Sequence, residues 1–487
     1  MRFSIIRPLV IGLATGASLL AGACDKTATP VDTTPTPAVV SLANYSTTPA
    51  LVKNVMAGVT PYSLVGSDDA FPATPSFIFG GSIDGMGLMK DPTNGAFKLY
   101  LNNEDNFSVA EFWFEGTMKP AGGRYILNST GGGFRLCSAT LATPEEHGFG
   151  PLFLTAGESS EESMIRAVTP GSALNTSVTL PALGRWNGEQ ALPLPKTAYT
   201  GKTVIIVGDD DSNTQGGQVV AYVSNTVGDL ENGSLYMLAR TDNNQRERDM
   251  VLGQTYPVVF RQINNQKTLT GNQINALVPS LQAIRFGRVE DVDYRRVTGS
   301  GREVYFAVTG QAFTGVNADS SRTKYGRIYR LILSTSDPLA GTLEVVLDGD
   351  VRPGVAAQFQ NPDNVTVTQN YVYIQEDPNG YGDEGHDARI YQYNIATKAL
   401  TIVLELDQRR GEAKYNVGQA GNSSAFGAWE VSGLIDISDV IGQPDVFLVG
   451  VQAHTWTGAK YQNPDGGTIR TAENQASQLL ALRGLPR

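Results

Sequence analysis

Two cysteines, three histidines and no basic run mark this 487-residue chain, and each shortage removes a class of protein. With only Cys24 and Cys137, a disulfide framework is out of reach. His147, His386 and His454 are scattered rather than set at short spacing beside cysteine, so no zinc-finger or zinc-ribbon pattern exists. No Gly-x-Ser-x-Gly elbow, phosphate loop or dinucleotide fingerprint stands in a convincing context. Lysine and arginine total 37 against 48 aspartates and glutamates, for a formal net charge of -11. An acidic chain without a basic cluster argues against nucleic acid or an anionic lipid surface as partner. It suits a protein that gathers divalent cations, so any chemistry must come from carboxylates and metal.

Long apolar segments are equally scarce. The one apolar run of note, Pro8 to Gly22, is too short to cross a bilayer comfortably, since a spanning helix needs about 20 apolar residues. Arg2 and Arg7 precede it and small residues follow, the layout of a secretory signal. The exit Leu19-Leu20-Ala21-Gly22-Ala23-Cys24 resembles a bacterial lipoprotein box, with Ala21 where such boxes usually carry Leu or Val. Residues 1–23 are therefore read as a signal peptide and Cys24 as the site of lipid attachment. Ordinary cleavage after Ala23, leaving a free soluble protein, is the alternative. Residues 24–45, rich in Thr, Pro and Ala, read as a flexible spacer. The expectation is an exported lipoprotein, periplasmic or on the outer surface of a bacterium, touching the membrane only through its anchor. If lipid consumes Cys24, Cys137 is the one remaining thiol in an oxidising compartment.

Helical periodicity is rare, with one helical stretch expected around Gln273 to Gln282. Punctuation is plentiful instead: 53 Gly and 25 Pro separate short alternating runs of β-branched and aromatic residues. These include Phe97 to Leu101, Thr203 to Val207, Gln218 to Val223, Tyr371 to Ile374 and Asp445 to Val451. One block repeats. Glu303 to Val308, Arg327 to Leu331 and Thr342 to Val346 match in order Tyr371 to Ile374, Arg389 to Tyr393 and Leu400 to Leu404. Three strands recurring in the same order, with a long loop after the first, read as successive propeller blades. The expected fold is all-β, a six-bladed β-propeller filling residues 46–487 as a single domain, and a pair of β-sandwiches is the rival.

Several strands run into carboxylates rather than neutral turns. Leu101 leads into Asn102-Asn103-Glu104-Asp105, Gly208 into Asp209-Asp210-Asp211, and Gln375 into Glu376-Asp377, while Arg288-Val289-Glu290-Asp291-Val292-Asp293 leads into another strand. In a propeller such strand ends converge at one mouth of the channel. Crowded like charges need a proton or a cation to offset them, and Ca²⁺ takes six to eight oxygen ligands. Any single acidic pair is usually a solvated turn; it is the recurrence that carries the reading. Neither DDDSNTQGG nor EDPNGYGDEGHD has EF-hand spacing.

A series of islands runs from Gly80 onward: Ser82 to Gly87, Asn103-Glu104, Leu136-Cys137-Ser138 with Thr143-Pro144, Leu154 to Glu158, Gly184 to Glu189, Arg288-Val289-Glu290-Asp291, Phe359 to Asn364, Glu376-Asp377, Trp429 to Gly433 and Val451 to His454. In that order they resemble the PhoX-type alkaline phosphatases, calcium- and iron-dependent exported enzymes on a β-propeller. The resemblance implies that Cys137 is an iron ligand and that Glu104, Glu158, Glu189, Glu290 and Asp377 hold metal. It also implies that Arg288 binds phosphate and acts in catalysis beside Glu290, with Ca²⁺ and Fe³⁺ as cofactors. The chain departs from the pattern where family histidines beside Glu104 and Glu189 are replaced and where Glu146-His147-Gly148 follows Thr143-Pro144. Those changes could spare the calcium sites and lose the iron pair. The implied activity is hydrolysis of small phosphate monoesters by a monomer. A calcium-stabilised, non-catalytic propeller binding a cell-surface or extracellular ligand is the alternative, and a phytate-like, phosphodiester or lactone substrate a third reading.

Overall fold

The computed structural model describes residues 40–487 except 133, 298–300, 316–317, 382, 418–424 and 469–473. The expected signal peptide, Cys24 and most of the spacer lie outside the described residues. Residues 40–45, assigned to the spacer from sequence, belong to the folded body: Val40 is buried, Leu42 and Tyr45 pack on the same apolar cluster, and the Tyr45 hydroxyl donates to the Thr117 carbonyl at 3.1 Å.

The protein is all-β, and its strands form a propeller-like arrangement rather than two sandwiches. Four sheets stand apart, and a fifth has nine strands. The nine-stranded sheet runs outward from Gly188–Pro193 to Thr255–Ile263 and back through Ala340–Asp348 to Val289–Tyr294. Its first and last strands lie against each other. Six strands face the axis: Ile83–Lys90, Leu136–Ala142, Gly188–Pro193, Val289–Tyr294, Pro362–Val367 and Glu430–Asp436. Each packs beside the next, and the last packs on the first, so they close a ring. The chain ends lock that ring. Thr60–Gly66 pairs with Gln475–Arg483 in the sheet of Glu430–Asp436, so segments far apart in sequence share one sheet.

The repeated block from the sequence forms matching strand triplets. Glu303–Val308, Arg327–Leu333 and Ala340–Asp348 pair in order, as do Tyr371–Glu376, Arg389–Asn394 and Leu400–Leu406. Many strands are buried on both faces, because each sheet is covered by its neighbours; all seven residues of Thr203–Asp209 are buried. The expected helix is instead two short ones, Gly271–Asn275 and Val278–Leu281. Pro279 lacks a backbone N–H and crowds the carbonyl four residues earlier, which ends the first helix.

Candidate metal centre

The inner strands share a defect that builds the site. Five of them carry a register shift near their start, between Ile83 and Met86, Leu136 and Ala139, Gly188 and Ala191, Val289 and Val292, and Pro362 and Val365. A β-bulge bends its strand and re-aims side chains. In each case the first residue inside the shift is a metal-type ligand: Asp84, Cys137, Glu189, Glu290 or Asp363. The sixth inner strand begins with Glu430, paired to Gln452, and shifts later, between Ser432 and Ile435.

The residues after these ligands stitch the ring together. Gln190 accepts from the Val292 amide at 3.1 Å, Asp291 from the Val365 amide at 3.0 Å, and Asn364 from the Gly433 amide at 2.9 Å. The Ser432 hydroxyl donates to the Ile83 carbonyl at 2.7 Å. Gly85 occupies the equivalent place on the first strand, where an added Cβ would stand 2.1 Å from the Ala139 nitrogen. No side chain fits there without parting two inner strands.

The second strand of each hairpin supplies a further residue just past its end. The amides of Glu104, Glu158, Asp210, Thr309 and Asp377 donate to the carbonyls of Ser82, Arg135, Asn187, Arg288 and Asn361, at 2.7, 2.7, 2.8, 3.1 and 3.2 Å. Each carbonyl belongs to the residue two before the inner-strand ligand. Every such hairpin therefore presents two side chains at fixed places, for example Asp84 with Glu104, Cys137 with Glu158, and Asp363 with Asp377.

These positions converge. Ligand atoms lie within 4.8 Å of one another in five overlapping triads: Asp84–Cys137–Glu189, Glu104–Cys137–Glu158, Asp84–Glu104–Glu430, Glu189–Glu290–Asp363 and Asp363–Asp377–Glu430. Cys137 belongs to two of them, with its sulfur 3.2 Å from Glu158 Oε2. Gln452 joins the group by donating to Glu104 at 3.0 Å and Glu430 at 2.8 Å. His454 stands at the edge, its Nε2 3.8 Å from Glu430.

Such crowding is unfavourable for bare anions. Burial, then the neighbouring carboxylates, push Asp84, Glu189 and Glu430 well above the usual carboxyl range. The same direction holds for Glu158, Glu290 and Asp363, where burial outweighs the arginines nearby. Glu104 is raised to about 7 by burial and Asp105. Asp377 is raised by burial, against His454 and Arg288. Burial and the adjacent Glu189 and Glu158 likewise raise the Cys137 thiol. Among the described residues, Asp84 Oδ1 and Asp363 Oδ1 are buried without a hydrogen-bond partner. Buried oxygens lacking donors, in a set of eight carboxylates and one thiol, fit cation ligands: the oxygens suit a hard ion and the sulfur a transition metal.

Two arginines border the group. Arg288 adopts a left-handed backbone, with φ of 71°, a strained conformation for a non-glycine residue. Its Nε and Nη2 donate to the two oxygens of Asp210 at 2.6 and 3.1 Å, and its Nη1 donates to Asn379 at 2.9 Å. Nη2 also lies 2.9 Å from Glu290 Oε1. Although burial opposes its charge, Asp210 and Glu290 hold the guanidinium firmly protonated. Arg135 contacts Glu104, Asp105 and Glu158 at 3.4, 3.3 and 3.7 Å.

All of the residues singled out from sequence, Glu104, Cys137, Glu158, Glu189, Arg288, Glu290 and Asp377, meet at this place. Asp84, Asp363, Glu430, Arg135, Asp210 and Gln452 were not assigned roles there. Their signal is the hairpin equivalence, which becomes visible only when the strands are paired. Other acids turn away: Glu376 accepts from the Gln360 and Arg389 amides at 2.8 and 2.9 Å, and Asp293 pairs with Arg296 at 2.5 Å. Farther along the inner strands, a cavity of about 710 Å³ is bounded by Leu88, Leu141, Leu192, Tyr294 and Ile435; none of the nine residues of the triads lines it.

An all-β chain with a ring of inner strands and a metal-type cluster at their starts is thus the class of protein defined. Among solved structures, its fold is similar to that of Pseudomonas fluorescens PhoX, solved in complex with vanadate, a transition state analogue. The TM-score is 0.61 at 14% identity, over 91% of this chain and 98% of that one. The fold is PhoX-like. A mutant α-L-arabinofuranosidase of Fusarium graminearum, solved with an iminosugar inhibitor, also matches, with a TM-score of 0.41 at 11% identity, over 87% of this chain and 98% of that one. No family model matches the sequence, and no curated protein matches it.

Proposed function

We propose that the protein is an exported, metal-dependent phosphatase that hydrolyses small phosphate monoesters at a multi-metal centre in the mouth of the propeller. Counted by inner strands the propeller has six blades, with the nine-stranded sheet being two blades joined through Thr255–Ile263. The observation that carries the reading is the set of five overlapping ligand triads at the starts of the inner strands, in a chain whose fold is PhoX-like.

The carboxylates would hold Ca²⁺, and Cys137, shared by two triads, would hold Fe³⁺ with help from carboxylates of those triads such as Glu158 and Glu189. Bound cations supply positive charge where negative charge builds on the phosphoryl oxygens. The chain's own part is positioning. Asp210 and Asn379 fix the Arg288 guanidinium, which stays charged and aims a donor at an equatorial oxygen. Glu290, ion-paired to it, ties that donor to the metal-holding triad Glu189–Glu290–Asp363. Preorganised donors of this kind are worth about 10²–10³ in rate. Lipid on Cys24 would tether the enzyme outside the cytoplasm.

The test is turnover of p-nitrophenyl phosphate by the full chain with added Ca²⁺ and Fe³⁺, beside Arg288→Ala and Glu290→Gln. The expected result is turnover in the parent and a drop of about 10²–10³ in each variant. No turnover, or turnover indifferent to both substitutions, overturns the reading.

A further inference from the structure

Arg135 and Arg288 occupy the same position in two different hairpins. Each stands two residues before its inner-strand ligand, Cys137 or Glu290, and each offers its carbonyl to the amide that follows the partner strand. The two guanidiniums also border the same groups, since Glu158 and Asp377 each feel both charges.

Their engagement differs. Arg288 is clamped by Asp210 and Asn379 at 2.6 to 3.1 Å. Arg135 is held more loosely, at 3.3 to 3.7 Å, and its side chain is 33% exposed. Among the described residues, its Nη1 pairs with Glu104 and Glu158, both members of the triad around Cys137, while Nη2 pairs with Asp105. Cations captured by Glu104 and Glu158 would take over those oxygens. Nη1 would then face the mouth with its charge uncompensated, while Asp105 keeps the side chain oriented. A planar guanidinium in that state is suited to a phosphoryl oxygen.

We infer that Arg135 is a second oxyanion-binding residue of this centre, contacting the phosphoryl group of the substrate opposite Arg288. The inference rests on the phosphatase reading for the identity of the substrate, and on the geometry alone for the binding of an oxyanion. Two arginines from separate hairpins would grip a dianionic phosphate more tightly than a monoanionic ester, which favours phosphate monoesters over diesters.

Calorimetric titration of inorganic phosphate into the metal-loaded full chain tests this, with metal content and thermal midpoint measured on every sample. The parent should bind phosphate. Arg135→Ala should bind at least tenfold more weakly with its metal retained, and Arg135→Lys should fall between, because it keeps the charge and loses the fork. Unchanged phosphate affinity in Arg135→Ala overturns the inference, as does a loss of affinity that tracks a loss of metal. If Arg135→Ala fails to fold, the Arg135→Lys result decides in the same way. Phosphate binding that depends on Arg135 in a chain that hydrolyses no monoester supports the inference and sinks the phosphatase reading alone. Monoester turnover with phosphate binding indifferent to Arg135 does the reverse.

Discussion

Glu158 donates its backbone N–H to the carbonyl of Arg135 at 2.7 Å, and this bond fixes more than a turn. It sets the Glu158 carboxylate beside the Cys137 sulfur, 3.2 Å away, and within 3.7 Å of the Arg135 guanidinium. The same bond recurs at Glu104, Asp210, Thr309 and Asp377. A cluster of many anions is thus assembled by repeating one backbone contact in successive hairpins. The backbone, held by the sheets, opposes the repulsion among the side chains.

Removing cations should make stability fall as pH rises. In the cation-free protein Glu104 titrates near 7, above its ordinary value of 4.5. The folded state then binds more protons than the unfolded state between those values, so stability is full below about 4.5 and declines toward 7. Glu104 alone contributes a loss on the order of 3 kcal/mol, and the carboxyls raised further extend the decline to higher pH. With Ca²⁺ present the slope should reverse, because the ion binds the deprotonated groups. Thermal midpoints across pH 4 to 8, with chelator and with Ca²⁺, check both signs. A midpoint insensitive to chelator at neutral pH contradicts the prediction.

Gly85→Ala should destabilise the ring. Its Cβ would stand 2.1 Å from the Ala139 nitrogen, a backbone atom that cannot swing away. Overpacking of this kind costs about 1–3 kcal/mol or more, read as a lower midpoint in urea. A variant as stable as the parent would mean that the first two inner strands do not approach so closely.

Asp377 and Glu376 are neighbours with opposite roles. Asp377 shares a triad with Asp363 and Glu430, while Glu376 is spent on two backbone amides. Asp377→Asn should lower the Ca²⁺ bound per chain, and Glu376→Gln should leave it unchanged while lowering stability by about 1–3 kcal/mol. Calcium analysis with thermal melting separates the two. Equal calcium in both variants would remove Asp377 from the centre.

The outer parts of the fold were more legible in the sequence than the inner ones. Arg327–Leu333 shows buried Tyr329, Leu331 and Leu333 between the less buried Arg330 and Ile332, so its alternation declares a strand. Ile83–Lys90 and Leu136–Ala142 carry Gly, Met, Ser and Ala instead. They lie in the crowded ring, where close approach rather than alternation sets the residue. The centre was legible through Cys137, Arg288 and the acids after strands. Asp84, Asp363 and Glu430 stood in recognised segments without a role, because their equivalence depends on hairpin register and the spacing to each partner differs. Arg135 carries no signal in the sequence; it is marked only by its carbonyl, which accepts an amide as that of Arg288 does. The stretch from Gln273 to Gln282 reads as one helix where the fold has two, since the spacing of apolar residues does not reveal the break before Pro279.

The metal content of the full chain, purified without chelator, tests the central claim most directly, with Cys137→Ser analysed beside it. The parent is predicted to hold calcium and iron together, and Cys137→Ser to lose the iron and keep the calcium. Calcium without iron, unchanged by the substitution, would give the centre to a binding protein rather than a phosphatase. A parent that holds neither metal would contradict the account.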